Sequence, residues 1–70
     1  MMTSSTYTVT GMTCEHCVSS VREEIGEIRG VREVAVDLPT GAVTVTSETP
    51  VDDADIRTAV EEAGYQLVAA

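Results

Sequence analysis

The apolar residues switch from a period of two to a helical period and back, twice, along 70 residues. The order of those switches constrains the fold more than any other feature of the chain. Thr6-Tyr7-Thr8-Val9-Thr10 alternates Thr with larger apolar residues, placing Tyr7 and Val9 on one face of a strand that Gly11 ends. From Thr13 onward Cys14, Val18, Val21, Ile25 and Ile28 recur at steps of three and four, which predicts an amphipathic helix with Thr13 as N-cap and Gly30 as stop. Gly26 lowers helix propensity by up to about 1 kcal/mol relative to Ala, so the last turn is expected to be loose. Val31 to Leu38 and Ala42 to Thr46 then alternate again around Pro39-Thr40-Gly41, the pattern of a β-hairpin. Val51, an Asp cap, acidic first-turn residues and Ile56 open a second helix that carries Ala59, Val60 and Ala63 inward and stops at Gly64. Residues 65–69 form the last strand.

This β-α-β-β-α-β order predicts an α+β, ferredoxin-like fold: a two-layer sandwich of a four-stranded antiparallel sheet with both helices on one face. A single domain is expected over 1–70. At this size one hydrophobic core supplies roughly 3 to 5 kcal/mol of net stability. In this topology the first loop and helix start lie beside the loop before the last strand, which directs Tyr65 toward Cys14 and Cys17.

Charge narrows the range of partners. Twelve acidic residues face four basic ones, all arginine, for a net charge of −8. Phosphate binding draws on clustered Lys and Arg, so nucleic acid is excluded as a partner. A chain this acidic is instead steered toward a basic patch on another protein, with Glu23, Glu24, Glu61 and Glu62 as candidates for the docking face. With no Phe or Trp and only two Tyr, a deep pocket for a large organic ligand is not expected. The N-terminus lacks the basic and apolar regions of a secretory signal, and no apolar run reaches membrane-spanning length. With Met1 as the true start, the expectation is a cytoplasmic protein without direct membrane insertion, in which Cys14 and Cys17 stay reduced.

The chemistry gathers in Gly11-Met12-Thr13-Cys14-Glu15-His16-Cys17, which holds both cysteines and the single histidine. Two thiols at i and i+3 on a helical turn converge on one soft metal ion or close a redox disulfide. A helix N-terminus lowers a thiol pKa below the free value of about 8.5, favouring both outcomes. A thioredoxin-like redox role calls for a longer chain with the pair inside a βαβ unit joining parallel strands, which this order does not provide.

That motif, placed between the first strand and the first helix, resembles the heavy-metal-associated domain family over essentially the whole chain, through Gly64-Tyr65. In length the chain is similar to the bacterial copper chaperones of that family. The resemblance implies that Cys14 and Cys17 bind one Cu(I) ion for delivery to a metal-binding domain of a copper-transporting P-type ATPase. It implies a carrier, not an enzyme, monomeric without metal, with a copper-bridged homodimer as a further candidate state. Cu(I) accepts two thiolates, whereas a structural Zn(II) site wants four ligands and the chain has three Cys and His residues in all. The alternatives are a Zn, Cd or Hg binding domain of the same family, or a small CxxC dithiol redox protein. A start at Met1 and an end at Ala70 favour a free chaperone over an excised ATPase domain.

The resemblance also assigns the neighbours. Family members that prefer divalent ions often carry Asp where this chain has Thr13, so Thr13 argues for the monovalent ion. Family members tuck the residue equivalent to Met12 beneath the loop as core, where its flexible side chain fills gaps. His16 lies roughly 200° from Cys14 on an ideal helix, pointing away from the sulfurs; it is an auxiliary-ligand candidate only through frayed first-turn geometry. Tyr65 stands where many eukaryotic members have Lys, and is expected to shield the site.

Overall fold

The computed structural model describes residues 2–68. Strands β1 (Thr3–Thr10), β2 (Val31–Asp37), β3 (Ala42–Ser47) and β4 (Gln66–Val68) and helices α1 (Glu15–Gly26) and α2 (Asp53–Glu62) follow the expected order. The strands form one antiparallel sheet in the order β2-β3-β1-β4. The ferredoxin-like sandwich is therefore present.

Alternation dictates which strand residues turn inward. Val34 pairs with Val45, Val36 and Tyr7 with Val43, and Leu67 with Val9, so one face of the sheet is apolar across all four strands. Val21 and Ile25 of α1 and Ile56, Ala59 and Val60 of α2 close over Val9, Val34, Val43 and Val45 to make the core. The opposite face is polar; there Thr6 Oγ1 lies 3.2 Å from Thr44 Oγ1. Tyr7 donates its hydroxyl to Asp53 Oδ1 at 3.0 Å, tying β1 to the first turn of α2.

Several boundaries differ from the sequence expectation. β1 begins at Thr3 because Thr3, Ser4 and Ser5 pair with Ser47, Thr46 and Val45, a ladder that polar residues complete without an apolar pattern of their own. α1 ends at Gly26, a turn before Gly30, with Glu27 as C-cap. Glycine, poorly favoured inside a helix, thus takes its last position. Three-residue bonds from Ile28 N to Ile25 O and from Val31 N to Ile28 O carry the chain on into β2. Asp52 is the α2 N-cap by position, yet its carboxylate makes no capping bond. β4 spans 66–68; the expected continuation to Ala69 lies outside the described residues.

In the β2–β3 turn, Gly41 has φ +76° and lies against β1, where an added Cβ would stand 2.6 Å from the Val9 carbonyl oxygen. Val9 N donates to Gly41 O at 2.9 Å. No side chain fits between two backbones at that separation. Among the described residues, no helix is long and apolar enough to cross a membrane.

Candidate metal centre

The site forms where β1 hands the chain to α1. Gly11 leaves the strand at φ +94°, Met12 tucks partly buried against the core, and Cys14 is extended at φ −156°, ψ 171°. Cys14 is therefore the N-cap in place of the expected Thr13. Its carbonyl is the first to accept helical bonds, from Cys17 N at 3.1 Å and Val18 N at 3.2 Å. No side-chain oxygen caps this end, so the positive end of α1 is left to the thiols.

One helical turn brings the two sulfurs together, with Cys14 Sγ 3.4 Å from Cys17 Sγ. Both thiols are free; Cys14 is exposed and Cys17 is half-buried. Thr13, released from capping, places Oγ1 3.9 Å from Cys17 Sγ. Tyr65 arrives from the turn after α2, as the topology predicts, and its hydroxyl acts on the Cys17 sulfur. That interaction, with backbone bonds from Thr13 and Cys14 and the Cys14 thiol, holds the Cys17 pKa at about 6 against a usual 9.0. Reciprocally, bonding to Cys17 raises the Tyr65 pKa, so the phenol stays a donor.

His16 takes no part in this grouping. It is exposed in the first turn of α1, where its carbonyl accepts from Ser20 Oγ at 3.3 Å. No three His, Cys, Asp or Glu side chains among the described residues converge as a metal cluster. The arrangement thus offers an ion two sulfurs at the surface and leaves further coordination positions open to an incoming ligand.

A family model for the heavy-metal-associated domain matches residues 6–66. The chain belongs to the heavy-metal-associated domain family. It is 40% identical over 67 residues to the copper chaperone CopZ of Bacillus subtilis, covering 94% of this chain and 97% of that one. It is 39% identical over 64 residues to a probable copper-exporting P-type ATPase of Archaeoglobus fulgidus, covering 90% of this chain and 8% of that protein. A solved CopZ metallochaperone superposes with a TM-score of 0.88 at 33% identity, covering 94% of this chain and all of that one. Membership accounts for the βαββαβ architecture.

One residue of the site escapes the sequence reading. Gly11 reads there as a strand terminator, yet the ring of Tyr65 lies on it, with Cδ1 3.2 Å from where a Cβ would stand. The sequence signal was a glycine at the head of the motif; its partner, 54 positions away, is visible only in the fold.

Proposed function

We propose that the protein is a Cu(I) chaperone that holds one ion between Cys14 and Cys17 and passes it to a partner by thiolate exchange. The observation that carries this reading is the pair of sulfurs 3.4 Å apart on an uncapped helix N-terminus, one of them exposed. Cu(I) is soft and stable at low coordination number, whereas Zn(II) asks for four ligands and finds two here. The likeness to a named copper chaperone along nearly its whole length supports the same cargo.

In the exchange, a thiolate of the partner forms a Cu–S bond, giving a three-coordinate intermediate. One original Cu–S bond breaks, a second partner thiolate binds, and the last original bond breaks. Copper remains Cu(I) throughout, and each freed cysteine sulfur ends as thiol or thiolate according to pH. Exposed Cys14 is the sulfur an incoming thiolate reaches, while Tyr65 and Thr13 steady Cys17. No bond in a substrate is made or broken, so the protein is a carrier.

The partner in this reading is a metal-binding domain of a copper-transporting P-type ATPase, and the likeness to a short stretch of such a protein supports it. The net charge of −8 favours a basic docking face. The exchange needs both cysteines reduced, and a reducing cytoplasm supports that state. A copper-bridged homodimer is the state in which a second copy fills the open coordination positions.

The test is to mix the copper-loaded protein with a metal-free ATPase metal-binding domain and follow transfer. Transfer faster than spontaneous release of Cu(I) to a chelator supports direct exchange. Transfer no faster than that release means the ion passes through solution and contradicts the mechanism.

A further inference from the structure

The ring of Tyr65 reaches Cys17 across a glycine. Gly11 has φ +94° and no Cβ, and the ring crowds the position a Cβ would take, with Cδ1 at 3.2 Å and Cε1 at 4.0 Å from that point. A contact of 3.2 Å is closer than carbon atoms ordinarily pack, so any side chain here displaces the ring. The other end of Tyr65 is anchored, since its backbone N donates to Val60 O at 3.1 Å and its side chain packs on the core. With the backbone held, a Cβ at position 11 makes the ring itself give by a few tenths of an ångström, which shifts the hydroxyl relative to the Cys17 sulfur it acts on.

We propose that Gly11 is a positioning residue for the dithiol site, acting through Tyr65: it lets one edge of the aromatic ring sit against the loop so that the hydroxyl stays beside Cys17. This rests on the copper-carrier reading for its consequence, which is that Gly11 sets how fast the bound ion escapes. A seated ring covers one flank of the sulfur pair and leaves the Cys14 side open to the incoming thiolate. An unseated ring opens both flanks to competing ligands.

The test combines Gly11→Ala, Gly11→Asn, Tyr65→Ala and the Gly11→Ala/Tyr65→Ala double variant. In the metal-free proteins, nuclear Overhauser contacts from the Tyr65 ring to Cys17 are measured beside core contacts such as those of Ile25. In the copper-loaded proteins, release of Cu(I) to an excess of chromophoric chelator is timed. Gly11→Ala is expected to weaken the ring contacts, keep the core contacts and release copper about threefold or more faster, on the order of a partly lost polar contact. Asn tolerates positive φ but carries a Cβ, so it should behave as Ala does. In the Tyr65→Ala background, Gly11→Ala should change release less than about twofold, because no ring remains to displace. The proposal is overturned if Asn restores wild-type contacts and release, which would make backbone strain the whole effect. It is equally overturned if Gly11→Ala accelerates release by the same factor with and without the ring. The Overhauser contacts need no metal, so a failure of the copper reading itself appears separately, as a wild-type protein that takes up no Cu(I).

Discussion

Cys14 and Cys17 stand 3.4 Å apart at their sulfurs but occupy different surroundings, Cys14 exposed and Cys17 half-buried. The asymmetry has a pH signature. Cys17 ionises at about pH 6, chiefly because Tyr65 donates to its thiolate. Alkylation of Cys17 in a Cys14→Ala variant, which keeps the Tyr65 and Thr13 bonds, should rise with pH with a midpoint below 8, and Tyr65→Phe should move that midpoint upward. Because the folded value is depressed, the interactions that hold the thiolate stabilise the fold above the unfolded thiol pKa and are lost as pH falls through about 6. A midpoint near that of free cysteine in both variants would show that the hydroxyl does not reach the sulfur.

Met12 packs against the core and its thioether is the one further soft donor in the motif. A volume-conserving Met12→Leu exchange should cost less than about 1.5 kcal/mol of stability and leave Cu(I) affinity unchanged. A tenfold or larger loss of affinity, measured by chelator competition, would make Met12 a ligand.

Ile25 is fully buried between the helices and the sheet. Ile25→Ala should cost about 2 to 5 kcal/mol. That is comparable with the roughly 3 to 5 kcal/mol that a core of this size supplies. Urea unfolding followed by circular dichroism should find the variant largely unfolded at 25 °C without denaturant, whereas a midpoint within 1 M urea of wild type would mean the core relaxes around the gap.

Glu24 faces like charge from its own helix, Glu23 and Glu27, and from α2, Glu62, with Asp55 lining the same groove. Desolvation first, then these carboxylates, raises its pKa. The sign is opposite to that at Cys17: the raised folded value makes the Glu24 carboxylate destabilising at neutral pH, and stability is gained as pH falls through that value. Glu24→Gln should raise the melting temperature at pH 7 and flatten its acid dependence, and added salt should narrow the difference. An unchanged melting temperature would show that the charges are already screened.

The fold was legible wherever periodicity and burial coincide. Val43 and Val45, Val21 and Ile25, and Ile56 and Val60 fall inward as their spacing predicts. Thr3 to Ser5 were not legible as strand, because their place in β1 comes from pairing with β3 and not from any pattern of their own. The helix start was misplaced by one residue because Thr13 is the better capping side chain, and the cap is decided here by the extended backbone of Cys14. The Cys pair could be read from spacing and the approach of Tyr65 from topology. The seat of that ring on Gly11 could not, since it joins two segments that no local pattern connects.

In the proposed function Cys14 and Cys17 form a two-sulfur site selective for Cu(I). Its most direct test is an anaerobic titration of the reduced protein with Cu(I) against a chromophoric chelator, beside a Cys14→Ser/Cys17→Ser variant and a parallel Zn(II) titration. The expected result is tight one-to-one Cu(I) binding that the double variant abolishes, with weak Zn(II) binding. Tight Zn(II) with weak Cu(I), or Cu(I) binding that survives loss of both sulfurs, would contradict it.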